Sequence, residues 1–190
     1  MGYDDDYIYV AGRFYYPSAS QIQAASFLRD YWYWSSDFIT ITLNTFNDNK
    51  NGVVFLTTPV VSRTDANILN DADGAPNKNV NVSCDTFWDA VSVCEENVWY
   101  SEMRIPFTSL RFQGKENRAV MGLIASRYSA YNSETSSFPL IPQKHYFGNY
   151  RPSQTTEIVF EGIQRHNPLY VTPYVLGGVG QSNVLNDTGW

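Results

Sequence analysis

From Phe38 to Thr45 the chain reads FITITLNT, with Ile39, Ile41 and Leu43 alternating against Thr40, Thr42 and Asn44. Successive side chains on a strand point to opposite faces, so this run predicts a strand with one face on a core and the other facing water. Asn47 to Gly52, reading NDNKNG, follows at once with residue types that tolerate the left-handed and tight conformations of a hairpin. Val53 to Thr57 would then return antiparallel. A chain that carries such a hairpin is committed to building sheets, and the same period-two texture recurs at Tyr7 to Phe14, Thr86 to Cys94, Val98 to Ile105, Val120 to Tyr128 and Glu157 to Ile163.

These short strands, with Glu95, Glu96 and Asn97 turning the middle pair, predict an all-β antiparallel sandwich. Gln21 to Leu28 is the one helix candidate, since Ser18 or Ser20 can cap it and Ile22, Ala25 and Leu28 fall roughly on one face. Two long polar stretches, Thr64 to Ser83 and Ser129 to Pro152, carry no periodicity and read as loops of the length that usually has a function.

Composition narrows the partners. Aromatic residues make up 16% of the 190 positions, with 14 Tyr and 5 Trp, which favours sheets and ligand platforms. A formal net charge of -6 argues against nucleic acid, whose binding draws on clustered Lys and Arg. Cys84 and Cys94 are the only cysteines, too few for a multi-bridge scaffold or a four-cysteine zinc site; one disulfide or two separate thiols both remain open. No run approaches the length of a transmembrane helix.

The texture changes after Asn167 to LYVTPYVLGGVGQSNVLNDTGW, glycine-rich and alternating. Tyr170, Thr172, Tyr174, Leu176 and Gly178 would share one face and Val171, Pro173, Val175 and Gly177 the other, as in a membrane β-strand with a lipid side and a lumen side. The reading is therefore a sandwich over 1–166 and a separate segment over 167–190. At the other end, Met1 and Gly2 lead straight into YDDDYIYVAGRF, as if the chain begins inside a domain.

The runs YDDDYIYVAGRF, DFITITLNTFNDNKNGVVF, FWDAV and WYSEMRIPFTSLRF, in that order, resemble the family 9 carbohydrate-binding module-like domain (a DOMON-like sandwich) that precedes bacterial outer-membrane β-barrels of uncharacterised role. The resemblance spans roughly Tyr3 to Gln164, and Glu102 to Phe112 is its most specific part. It implies a jelly-roll-like sandwich truncated at its N-terminal strands, followed by the first strand of a truncated barrel. It also implies a non-catalytic module of the bacterial cell envelope (periplasm, outer membrane or cell surface), with a polysaccharide or oligosaccharide as partner and no nucleic acid. The alternative within the same resemblance is an accessory or structural domain of the barrel that has lost sugar binding.

Site residues follow from it. Trp34, Ser35, Ser36 and Asp37 resemble the Trp-x-x-Asp step by which sugar-binding members place one ring of an aromatic clamp, and Trp32, Tyr33 and Tyr31 crowd the same loop. The carbohydrate-binding candidates are accordingly Trp34, Asp37, Trp32 and Tyr33. A tryptophan at a strand start can equally be a packing lid over the core. Where sugar-binding relatives carry an acid and an arginine, this chain has Thr40 and Leu56, which removes the charge-assisted hydrogen bonds that orient a sugar. Trp88 and Trp99 read as core, and Glu102 and Arg104 as structural, pairing with each other or with a neighbouring strand.

No cofactor is required by this reading. Calcium is possible, because Asp4, Asp5, Asp6, Asp65, Asp71, Asp73 and Asp85 supply hard oxygen ligands, though none forms an EF-hand loop. A nucleophile elbow, a Walker loop and a zinc-protease helix are missing from the sequence, His145 and His166 lie in separate polar segments, and Glu95 with Glu96 falls in a turn. The expectation is a protein that is not an enzyme.

Overall fold

A computed structural model describes residues 1–32, 34–74, 76–115, 117–145, 147–163 and 173–180. The strands are β1 (Gly2–Tyr3), β2 (Tyr7–Tyr15), β3 (Phe38–Asn44), β4 (Gly52–Thr57), β5 (Arg63–Ile68), β6 (Val80–Asn81), β7 (Asp89–Glu95), β8 (Val98–Pro106), β9 (Gly114–Lys115), β10 (Arg118–Ser129), β11 (Glu134–Phe138) and β12 (Thr156–Glu161). They form two antiparallel sheets. The first has the order β1-β2-β8-β7; the second runs β11-β10-β3-β4-β5-β6, with β12 and β9 also paired to β10. Long β10 serves as a spine: β12 and then β11 share one edge, while β9 and then β3 share the other.

The expected all-β sandwich is therefore what the chain adopts. Between the sheets lies a core built from inward positions of both, including Ile8, Val10, Trp99, Met103 and Ile105 from the first and Ile39, Ile41, Leu43, Phe55, Met121 and Phe160 from the second. Trp88 and Trp99 belong to it, as the sequence predicts. Arg104 pairs across the sheet with Asp89 at 2.6 Å, its register partner on β7.

Three expectations are corrected. The face of β3 carrying Thr40, Thr42 and Asn44 is not wet, for every residue of that strand is buried. Segments of the long polar stretches fold back over it: the Thr42 hydroxyl donates to the Asn149 carbonyl at 3.0 Å, and Tyr150 packs with Val54, Ala66 and Ile68. The second sheet is thus covered on both faces. Next, those stretches are not entirely loops. β5 lies in the first and β11 in the second; their sequences, RTDANI and ETSSF, are too polar to read as strands, yet β5 buries Thr64, Ala66 and Ile68 on one face and Asp65 on the other against β4. Finally, Gln21 to Leu28 is not a helix. Ser18 caps only a single 3-10 turn, Ala19–Gln21, because backbone groups beyond it are taken by the following loop: Gln23 N–H by Asp37 and Ala25 N–H by Ser36.

Cys84 and Cys94 are both free thiols, which closes the disulfide alternative. The segment 173–180 has no regular secondary structure, and Tyr174, Val175, Leu176 and Val179 are exposed and outside the core. The rest of the expected barrel segment, 167–172 and 181–190, lies outside the described residues.

Candidate functional site

The loop before β3 is held by a lattice of short hydrogen bonds centred on Asp37. Its Oδ2 accepts the Gln23 N–H at 2.8 Å, its Oδ1 accepts the Ala130 N–H at 2.7 Å, and its own N–H donates to the Gln23 carbonyl at 2.9 Å. Further back, Asp30 N–H donates to the Arg63 carbonyl and the Ser62 hydroxyl donates to the Leu28 carbonyl. The loop is therefore tied to β5, to the end of β10 and to itself.

Thus anchored, the loop lays Trp34 on the outer face of the second sheet. Phe38 and Tyr128 are register partners on β3 and β10, their rings stacked 5.0 Å apart. Trp34 stands edge-on to Tyr128 at 4.7 Å, lies 5.6 Å from Phe38 and faces Phe147 at 6.2 Å and 26°. Trp32 packs edge-on to Tyr150 at 4.9 Å, and Phe147 joins the two groups, 6.2 Å from Tyr150. The result is one continuous aromatic patch. Trp34 keeps 46% of its surface exposed, whereas Tyr150 is buried, and burial drives the Tyr150 phenol well above the ordinary tyrosine range.

Below the patch, Ser126, Thr40, Leu56 and Thr64 form a row across β10, β3, β4 and β5, each directly opposite the next. All four are buried, and none is charged. The layer beneath the patch is consequently closed to solvent and uncharged, with no carboxylate or guanidinium.

Of the four candidates, Trp34 and Trp32 come together in the patch, and Tyr33 lies outside the described residues. Asp37 does not join them. Phe38 points outward and its neighbour turns the other way, toward the inter-sheet side, where the Asp37 charge adds to the burial that raises the Tyr16 phenol to about 12. Both carboxylate oxygens are spent on backbone N–H groups, and the residue is fully buried. Phe38, Tyr128, Phe147 and Tyr150 complete the patch without having been singled out in the sequence. The signal available was the recurrence of aromatic rings within the otherwise polar stretch 129–152.

Five of the seven acidic residues that could hold calcium, Asp4, Asp65, Asp71, Asp73 and Asp85, have other partners. Asp65 accepts from Arg29, the Thr86 N–H and the Trp88 indole; Arg29 also reaches Asp85. Arg151 holds Asp71 and Asp73, and Asp4 accepts the Asp6 and Tyr7 N–H groups and the Tyr9 hydroxyl, which lowers its pKa. Among the described residues no group of three or more His, Cys, Asp or Glu side chains is placed to hold a metal ion.

No family model matches the sequence, and no curated protein matches it significantly. Solved structures do match in fold. A protein described as carbohydrate-binding from Bacteroides uniformis ATCC 8492 superposes with a TM-score of 0.63 at 13% identity, over 83% of this chain and 74% of that one. A family 9 carbohydrate-binding module from Caldicellulosiruptor kristjanssonii, solved with glucose and with cellotriose, superposes with a TM-score of 0.53 at 15% identity; the match covers 88% and 90% of this chain and 76% and 77% of the module. The chain is thus similar in fold to the two-sheet sandwich of these modules.

Proposed function

We propose that this domain is a non-catalytic saccharide-binding module that stacks a sugar ring on the exposed face of Trp34. The observation that carries the reading is the patch itself: a half-exposed indole braced by Phe38, Tyr128 and Phe147 over an uncharged floor. Pyranose C–H groups pack on such a face while hydroxyls reach polar neighbours. The fold shared with modules solved on glucose and cellotriose supports the same class of ligand.

In this proposal Trp32 supports the platform from the Tyr150 side, and Asp37 holds the loop in place without touching the sugar. A ring clasped between two aromatic faces needs about 7–8 Å between them, twice an optimal carbon contact. Trp34 and Phe147, at 6.2 Å, leave no such slot, so the sugar sits on one face only. With one aromatic contact and no ionic hydrogen bond, the expected affinity is weak, a Kd of roughly 0.1–1 mM, or about -4 to -5.5 kcal/mol. The proposal places the domain in the bacterial envelope, ahead of an outer-membrane barrel, with no metal needed for binding.

The buried, uncharged pair Thr40 and Leu56 favours the alternative of an accessory domain of that barrel without retained sugar binding. Isothermal titration of the chain with xylan, cellulose and mannan oligosaccharides separates the two. Saturable binding to any of them supports the module; no heat at millimolar sugar supports the accessory domain.

A further inference from the structure

A groove of about 660 Å³ opens at the end of the sandwich opposite Trp34. Val53, at its base, pairs with Leu43 near the end of β3, whereas Phe38 begins that strand, so the groove and the aromatic patch are separated by roughly 17 Å of strand. In the second sheet Val53 stands beside Asn67, and Asn67 beside Asn81, across β4, β5 and β6. Val53 belongs to the inter-sheet core, and its row would continue that core, yet it carries two amides that stay exposed. Inward register positions filled by exposed amides mark a place where the sandwich is left open.

The groove's other contributors suit a particular ligand. Phe46 and Phe87 line it, with 41% and 68% of their surfaces exposed. Arg111 also lines it and makes no ion pair with a described residue. Asn81 uses its Oδ1 to accept the Ser83 N–H at 3.0 Å, which leaves its amide N–H groups for a ligand. A lipid tail would strip water from two amides and a guanidinium without replacing it. A nucleic acid would meet a single cation. A sugar chain has C–H faces for the phenylalanines and hydroxyls for the amides, Asn67 offering donor and acceptor together and Asn81 its N–H groups.

We propose that this groove is a second saccharide-binding site, taking a neutral oligosaccharide lengthwise and acting independently of Trp34. Two sites at opposite ends let one long polysaccharide, or two neighbouring chains, engage the domain together, with avidity greater than either site gives alone.

The test is an amide chemical-shift titration of the full 190-residue chain with cellotriose, xylotriose and mannotriose. With one or more of these sugars, the backbone and side-chain amides of Asn67 and Asn81 shift and saturate. Phe87→Ala weakens that response at least about fivefold, and the pair Asn67→Ala with Asn81→Ala weakens the shifts of the neighbouring Val53 and Phe87 backbone amides by as much, as loss of one aromatic contact or two hydrogen bonds should. Trp34→Ala leaves it unchanged, which separates this site from the patch. The proposal is overturned if none of the three sugars gives a saturable shift in the groove. It is overturned equally if groove shifts disappear with Trp34→Ala or survive undiminished in Phe87→Ala. The variant outcomes are read only from chains whose remaining amide shifts keep the dispersion of the unaltered fold, and the titration of the unaltered chain decides the proposal where a variant does not fold.

Discussion

Replacing Asp37 separates a structural carboxylate from a ligand-binding one. The side chain is fully buried and accepts two backbone N–H groups, from Gln23 at 2.8 Å and from Ala130 at 2.7 Å. Hydrogen bonds to a charged group contribute about 1.5–3 kcal/mol each, and stranding a buried donor costs about 1–3 kcal/mol. Against that, Asp37→Ala relieves the cost of keeping a carboxylate out of water, so the net loss should be near 3–4 kcal/mol, not the full sum. Asp37→Asn keeps one acceptor but turns an NH₂ group toward the second N–H, and should cost about 1.5–3 kcal/mol. Urea unfolding followed by circular dichroism measures both. Since the loop it anchors carries Trp34, any loss of sugar binding in Asp37→Ala should accompany the loss of stability. If the variant unfolds at the wild-type urea concentration but no longer binds, Asp37 contacts the sugar and the reasoning here is refuted.

Other outcomes follow from single side chains. Asp48 accepts the Lys50 and Asn51 N–H groups and the Asn51 amide; burial opposes ionisation, but these bonds outweigh it and lower the pKa. Its contribution is therefore complete above the unfolded carboxylate pKa and is lost as pH falls through the lower folded value, so Asp48→Ala should cost about 1 kcal/mol at pH 7 and less at pH 3 in paired urea melts. Burial first, with the Asp37 charge adding, raises Tyr16 to about 12 while the Arg127 charge opposes. The unfolded phenol ionises from about pH 10, so stability should fall between pH 10 and 12 by at most about 1.4 kcal/mol per pH unit. Tyr16→Phe should flatten that part of the pH profile. A methyl group at Gly122 would run into the Thr155 side chain and press on Asn44, so Gly122→Ala should lower stability by about 1–3 kcal/mol in thermal melts.

Much of the sandwich was legible because β3 alternates Ile39, Ile41 and Leu43 with polar residues and the NDNKNG turn then returns β4 beside it, and β8 and β10 lie where apolar strand texture puts them. What misled was polarity. Thr40, Thr42 and Asn44 look solvent-facing because a hydroxyl or amide is normally wet, and nothing local announces that Asn149 and Tyr150, a hundred residues on, will cover them. β5 was hidden for the same reason, since Asp65 is tolerated in a strand only because Arg29, Thr86 and Trp88 satisfy it. At the site, the clustering of Trp32 and Trp34 was visible as a run of aromatic residues. That Asp37 leaves them was not, because its direction depends on the parity of a strand whose first residue sequence cannot fix to within one position.

Sugar binding by this domain at the aromatic patch rests on Trp34, and one variant tests it. Trp34 is half-exposed and touches Tyr128, Phe38 and Phe147 by its ring alone, so Trp34→Ala should cost about 1–2 kcal/mol of stability, well short of the roughly 3–5 kcal/mol for a fully buried tryptophan. Its affinity at the aromatic patch, followed in the same sugar titrations through the Phe38 and Tyr128 amides, should fall by about 1–3 kcal/mol. A modest drop in melting temperature with sugar binding at the patch lost is the predicted result. Unchanged binding there, or a melting temperature that collapses while binding per folded molecule persists, would make Trp34 a lid over the core and contradict the account.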